Sequence, residues 1–353
     1  MRSPVVDVVI DNLDYARFLG AAIDSALGQT HPQTRVTVVD DGSRDDSVTV
    51  ARSYGNRIRV IAKPNGGQAS ALNAGFAATA GDLVLFLDAD DVLCRDVAAA
   101  AVEALSNRSG AARAVFRAEV IDAAGMPTGR VEPSPHLPLS GGDLRSATLT
   151  HPFDLVWPPL SAQVFTRSAL AKIMPIPESD FRTLADWYVA HATSLVGDVV
   201  AVERVGVRYR EHGANAHFCG AAVLCLEQIR SSIVHEERVA LHLERIGRIR
   251  GHIPARRTER STATVARRLI SLRLDRERHP IDSDRRSALV LDGICSIRRR
   301  SDLGWRVRGA MMGWFFLLGV APRALARRLG ELFVQPSRRG PLVRRLGTAS
   351  RSE

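Results

Sequence analysis

Asp88-Ala89-Asp90-Asp91 places carboxylates two residues apart directly after the apolar run Leu83 to Leu87. Carboxylates at i and i+2 on such a turn can hold a hard divalent cation. Mg²⁺ or Mn²⁺ accepts one or two of them and takes its other ligands from phosphate oxygens and water. A cation held in this way neutralises a diphosphate leaving group. The same four residues would also serve as a solvated turn that caps the next helix. Asp40-Asp41-Gly42-Ser43 carries a second pair of carboxylates. Gly42 permits a tight turn, and a carboxylate there can accept hydrogen bonds from a base N–H or a ribose hydroxyl. A plain strand-to-helix turn with Ser43 as N-cap explains it as well. In Asn65-Gly66-Gly67-Gln68 a glycine-containing turn enters a helix, where backbone N–H groups can face phosphate.

The elements that must carry these turns alternate. Val5 to Ile10 is β-branched and suits a buried strand, and Ala16 to Leu27 has its apolar residues at helical spacing. Arg35 to Val39, Arg57 to Ala62 and Leu83 to Leu87 read as further strands. Between them lie a helix that Ser43 or Asp45 would cap, running to Tyr54, and a helix from Ser70 to Thr79. The order βαβαβαβ predicts a mainly parallel sheet with right-handed crossovers. Both acidic turns fall at C-terminal strand ends, the edge where open α/β sheets bind ligands. Residues 96–150 read as a helix and then strands with a Pro/Gly-rich loop near 123–142. A strand at Gln163 to Thr166, helices at Ser168 to Ile173 and Asp186 to Leu195, and a strand at Val199 to Tyr209 follow. Beyond residue 217 the texture turns helical and arginine-rich.

The 353 residues, 45% hydrophobic and 24% charged, exclude wholesale disorder. The longest strongly apolar uncharged run, Gly309 to Pro322, is shorter than the roughly 20 residues a single span needs. Asp7, Asp11 and Asp14 interrupt any signal-peptide pattern at the N-terminus. Cys94, Cys219, Cys225 and Cys295 form no CxxC pair, so neither a zinc site nor a disulfide framework is suggested and a reducing cytosol is expected. The net charge of +10 is unevenly placed. Residues 1–216 hold 20 basic and 25 acidic side chains, and residues 217–353 hold 28 and 13. A basic C-terminal third on a mildly acidic domain suggests an anionic partner.

The order strand, DDGS, NGG-x-x-S-A-x-N-x-G, strand, FLDADD resembles the family 2 glycosyltransferases of the GT-A fold. The likeness extends through Ser161 to Leu170, through Ala185-Asp186-Trp187-Tyr188 and through Tyr209-Arg210-Glu211-His212-Gly213-Ala214-Asn215. It implies a Rossmann-like α/β domain over residues 1–216 with helices on both faces of the sheet. A helical, arginine-rich extension follows over 217–353. It also implies that Asp41, with Asp40, reads the nucleotide base; that Asn65, Gly66 and Gly67 border the donor; and that Asp88 contacts ribose or a metal-bound water. Asp90 would ligate the Mn²⁺ or Mg²⁺, with Asp88 and His212 as further ligand candidates. Asp186 would be the general base of an inverting transfer, which needs one carboxylate to deprotonate the acceptor hydroxyl. Trp157, Trp187 and Tyr188 either line a sugar pocket or pack the core.

Members of the family often end the first strand with Pro-Thr-Tyr-Asn or Pro-Asn-Tyr-Asn; here it reads Asp11-Asn12-Leu13-Asp14. Leu13 replaces a tyrosine able to pack on the base. Asp11 brings a negative charge beside a polyanionic donor, which weakens binding unless its side chain is turned away or paired. Leu72 stands where many members carry arginine.

Trp305 to Leu332 holds an apolar block flanked by Arg306, Arg308, Arg323, Arg327 and Arg328, the pattern of a helix in a membrane interface and also of an ordinary packed helix. Pro322 should end or kink it. Nucleic acid is disfavoured as a partner, since no aromatic-interleaved basic patch accompanies the arginines. The expectation is therefore a metal-dependent, inverting glycosyltransferase. It would move a sugar from a nucleoside diphosphate donor, UDP-linked, to a glycan or lipid-linked acceptor in cell-surface polysaccharide synthesis, on the cytosolic membrane face. The alternative keeps the fold and denies catalysis: a degenerate donor pocket in a binding or assembly subunit of a polysaccharide complex. A nucleotidyltransferase would need a Gly-rich, basic signature after the first strand, which is missing.

Overall fold

The computed structural model describes residues 3–106, 108–213, 224–252, 261–300 and 303–334. Its elements begin with strand β1 (Val6–Asn12), helix α1 (Ala16–Leu27), β2 (Thr34–Asp40), α2 (Ser47–Ser53), β3 (Arg59–Ala62), α3 (Gln68–Ala78) and β4 (Leu83–Asp88). A short β5 (Val92–Leu93), α4 (Val97–Ser106), β6 (Ala111–Ile121), β7 (Pro127–Glu132) and α5 (Arg145–Thr150) come next. Then follow β8 (Gln163–Thr166), α6 (Arg167–Leu170), α7 (Ala185–Thr193) and β9 (Asp198–Arg210). The helices α8 (Leu226–Ile249), α9 (Thr262–Leu274), α10 (Arg286–Arg298), α11 (Trp305–Val320) and α12 (Arg323–Val334) complete the described chain.

Among the described residues nine strands form one sheet, ordered β3-β2-β1-β4-β8-β6-β9-β5, with β7 paired to β6. Strands β3, β2, β1 and β4 run parallel, as the βαβ order predicts. Their buried side chains are mostly Val, Leu and Ile, because helices cover such strands on both faces. Val6, Val8, Ile10, Val38, Leu85 and Leu87 are fully or nearly fully buried, and α1 adds Leu19, Ala22 and Ile23 to the same core. Helix α3 passes close over β1 at Gly75, where a Cβ would overlap Val9.

Two local expectations change. Ser43 does not cap α2, whose N-cap position is Asp46. Its hydroxyl instead donates to Asp40 at 2.6 Å and accepts from the Asn12 amide at 3.0 Å, because it lies between two strand ends. The loop expected over 123–142 contains β7, reached from β6 by a tight turn at Gly125, whose φ is 85°.

The chain divides into two compact units. One comprises Met1–Thr148, Leu155–His212 and Leu241–Ile253; the other Leu149–Asp154, Gly213–Ala240 and Pro254–Glu353. The second has its own apolar core, including Ile233, Val265, Leu269, Leu289, Phe315 and Leu318. Beside it Arg268, 1% exposed, holds Asp284 through Nε at 2.7 Å and Nη2 at 2.6 Å. His279 reaches the same carboxylate at 2.9 Å. No helix among the described residues is long and apolar enough to cross a membrane.

Candidate active site

Register brings the acidic turns together. Parallel β1 and β4 set Asp11 beside Asp88, and parallel β1 and β2 set Asn12 beside Asp40. Adjacent strands lie about 4.8 Å apart, so all of these groups crowd one sheet edge.

The turn after β4 is bolted to the end of β9. Val92 pairs with Arg208 in antiparallel register. Arg210 is buried; its N–H donates to Asp91 Oδ1 at 2.9 Å and its Nε to the Asp90 carbonyl at 2.7 Å. Its guanidinium lies 4.9 Å from the centre of the Phe18 ring. His212 Nε2 meets Asp90 Oδ2 at 2.9 Å, and its ring packs on Phe18 and Tyr15. His212, a ligand candidate from the sequence, is thus brought beside Asp90. Ala214 and Asn215 lie outside the described residues. Ser161, fully buried, receives the Asp88 N–H at 3.1 Å and also bonds the Asp91 carboxylate.

Asp186 stands in the first turn of α7, at the positive end of the helix dipole. Leu184, immediately before the helix, is held at φ 59°, a conformation a leucine rarely adopts. Burial raises the Asp186 carboxyl to about 6. Burial likewise pushes Asp11 up to about 7, with repulsion from Asp90 and Asp186 adding to it. Asp88 and Asp91 are held well above the usual carboxylate range, first by burial and then by their acidic neighbours. Five carboxylates from three segments therefore lie within electrostatic reach of one another. One buried oxygen on each of Asp11, Asp91 and Asp186 has no partner. Asp11 thus groups with Asp90 and Asp186, and its side chain bonds Gln68.

At the other end of the edge the carboxylates are occupied. Asp40 accepts from the N–H groups of Gly42 and Ser43, from the Ser43 hydroxyl and from Asn12. Asp41, 3% exposed, accepts from Lys63 Nζ at 2.6 Å, Gly66 N–H at 3.0 Å and Gly67 N–H at 2.7 Å. The amides of Gly66 and Gly67, expected to face phosphate, are consequently spent on Asp41. A buried carboxylate needs donors, and the glycine turn is the nearest supply. Asn65 accepts from Arg182. Gly67, at φ 87°, lets the turn dock on Arg182, with which any Cβ there would collide. Leu13 is 39% exposed and presents an aliphatic surface.

Gln68 links the two ends. Its Oε1 accepts the Ala185 N–H at 3.0 Å, at the start of the Asp186 helix, and its side chain also bonds Asp11. The opposite end of α7 is held by Arg113, fully buried, which donates to the Ala190 carbonyl and, at 3.1 Å, to the Ser194 hydroxyl. Trp157 stacks over Arg113 at 4.3 Å, and the buried Tyr188 hydroxyl donates to the Ile173 carbonyl. Both aromatics therefore pack structure.

Sequence reasoning missed Gln68, Ser161, Arg210 and Arg113 as supports of the site. The first three sit inside or beside the recognised segments, so their neighbourhood was visible. Arg113 had no local signal, because its partners lie about 80 positions downstream.

Among the described residues no three potential ligands are grouped to hold a metal alone. A cation that shares its coordination with diphosphate oxygens and water needs only one or two protein ligands. Asp90 with His212, beside Asp88 and the unpartnered oxygen of Asp91, fits that requirement.

The α/β sheet has the GT-A fold, and the comparisons with known proteins agree. The profile described as Glycosyl transferase family 2 matches residues 7–132. An uncharacterized glycosyltransferase of Nostoc sp. is 34% identical over 230 residues, covering 64% of this chain and 70% of that protein. A chondroitin synthase of Pasteurella multocida is 40% identical over 95 residues, 26% of this chain and 10% of its own length. The structure of S. aureus TarS 1–349 in complex with UDP-GlcNAc superposes with a TM-score of 0.50 at 14% identity, covering 95% of this chain and 92% of that one. The chain belongs to the family 2 glycosyltransferases and is a glycosyltransferase.

Proposed function

We propose that the chain transfers a sugar, with inversion, from a UDP-linked donor to a hydroxyl of a glycan or lipid-linked acceptor in cell-surface polysaccharide synthesis. The reaction depends on Mn²⁺ or Mg²⁺ and takes place at the cytosolic membrane face, which residues 305–332 touch. The observation that carries this reading is the buried, unpartnered oxygen of Asp186 within electrostatic reach of Asp11 and Asp88. The TarS complex with UDP-GlcNAc supports the donor class.

In this reading Asp90 and His212, with Asp88, hold the cation, which when bound offsets charge growing on the diphosphate as the glycosidic C–O bond breaks. Asp186 takes the proton of the attacking hydroxyl. A carboxylate titrating at about 6 lies one unit below neutrality, basic enough to accept that proton and still mostly ionised at pH 7. Asp41, held in place by Gly66 and Gly67, reads a base N–H that takes the place of Lys63 Nζ. Asp40 acts on the donor only indirectly, by fixing the turn.

Calorimetric titration with UDP and with GDP, with and without Mn²⁺, tests the donor site. Mn²⁺-dependent UDP binding that disappears in Asp90→Ala is expected. Binding of GDP in its place would change the donor class and keep the mechanism. One observation favours the non-catalytic alternative: the Asp41 oxygens already have three internal partners, beside an exposed Leu13 where an aromatic would stack. Absence of binding by either nucleotide would overturn the UDP-donor reading and point to that alternative.

A further inference from the structure

From Gly309 to Val320 helix α11 carries no charged residue, yet only part of it is covered. Phe315 and Leu318 are fully buried in the second unit's core. On the outward side Trp305, Gly309, Gly313, Phe316 and Val320 recur at three- and four-residue spacing, which is one helical face. Trp305 is 72% exposed, Phe316 54%, Val320 61% and the adjacent Leu317 47%. A surface helix ordinarily turns charge outward, and large contiguous apolar patches mark interaction sites. Helix α12 starts after Pro322 and adds Leu325, 44% exposed, among the exposed Arg323, Arg327 and Arg328. Between 305 and 334 the sequence has five arginines and a single carboxylate, Glu331.

The corner where α11 ends is basic as well. Arg273 Nε donates to the Leu318 carbonyl at 3.1 Å, and Arg323 donates to the Leu274 carbonyl at 2.5 Å. A cavity of about 900 Å³ opens there, lined by Arg273, Arg276, Arg285, Arg286 and Arg323. It also has four carboxylates in its wall, of which Asp275 is paired to Arg230 and Asp284 to Arg268.

We propose that α11 and α12 dock on an anionic lipid bilayer. The outward face of α11 lies in the headgroup–acyl boundary, and the arginines of α12 and of the corner cavity engage lipid phosphates. The helix of 16 residues is about 24 Å long, too short to span and suited to lie flat. Charge selects this occupant over a second copy of the chain. A two-fold contact through this face would set five arginines against five identical ones, whereas an anionic surface attracts all of them. The inference deepens the membrane contact of the proposed reaction, and its test does not require turnover.

The test is flotation of the full chain with vesicles of phosphatidylcholine alone and of phosphatidylcholine with 30% phosphatidylglycerol (about one lipid in three anionic). Binding to the anionic vesicles alone, weakened by salt, is expected. The triple variant Trp305→Ser/Phe316→Ser/Leu317→Ser should lose at least about tenfold in affinity, and Arg327→Glu/Arg328→Glu roughly twentyfold. Circular dichroism and UDP titration of the same variants report folding and the donor site separately. Equal binding by wild type and both folded variants, or no binding to either vesicle, overturns the proposal. So does a wild-type dimer without lipid that the serine variant converts to monomer, which would assign the face to self-association.

Discussion

At the scale of single residues, Asp186 carries two opposed demands. Its carboxyl is held near 6 by burial against an ordinary value of 3.8, so the folded state binds a proton more tightly than the unfolded chain does. Its protonated form is the one the fold favours. The associated stability is complete below about pH 4 and is lost as pH rises through about 6. Asp186→Asn should therefore melt at a higher temperature than wild type at pH 7.5, by an amount on the order of 1–3 kcal/mol, and show little gain at pH 4. The same variant should lose about 10²–10⁴-fold in turnover and keep its nucleotide affinity. The wild-type rate should fall on the acid side of about pH 6, as the base becomes protonated. Melting curves at the two pH values and a pH–rate profile check all three. Asp41 makes the opposite case, since both of its oxygens already have partners. Asp41→Ala removes the ion pair to Lys63 and leaves the amides of Gly66 and Gly67 without their acceptor, and should cost about 2–4 kcal/mol by chemical denaturation.

At the scale of elements, the parallel half of the sheet was readable because its strands are β-branched runs stopped by Asp, Gly and Asn turns. The acidic edge was readable for the same reason: parallel strands must end together. What escaped was contact across sequence distance. Gly66 and Gly67 read as phosphate donors because a turn of glycines has free amides. Only the fold shows Asp41 taking them. Ser43 read as a cap because nothing in the local sequence says that Asn12 and Asp40 lie beside it. The docking of α3 and the segment before α7 was invisible for the same reason, and it yields a prediction. Gly67→Ala must leave φ 87° or displace Arg182, so it should destabilise by about 1–3 kcal/mol. Because Gln68 joins that turn to Asp11 and to the start of α7, it should also lower turnover beyond the loss of folded protein. Rates normalised to the folded fraction separate the two effects.

At the scale of the whole molecule, the two units are held by different means. The sheet unit rests on an apolar core and the register of its strands. The helical unit adds a buried ionic network in which Arg268 serves Asp284 and Glu237 while Arg267 serves Glu236. Removing one member of such a network leaves a charge without compensation. Arg268→Ala should cost about 3–5 kcal/mol, and hydrogen exchange should place the loss in α9 and α10 while the sheet amides stay protected.

In the proposed reaction Lys63 gives the Asp41 end of the sheet a kinetic character. With its ammonium closing on Asp41, a base that is to be read by that carboxylate enters by exchange rather than by filling empty space. The step that admits the donor is then the opening of an ion pair that is only partly shielded from solvent. Salt, which ordinarily slows the meeting of a cationic gate and an anionic ligand, would here also loosen the latch. Nucleotide association should depend only weakly on ionic strength, and Lys63→Met should hasten both arrival and departure.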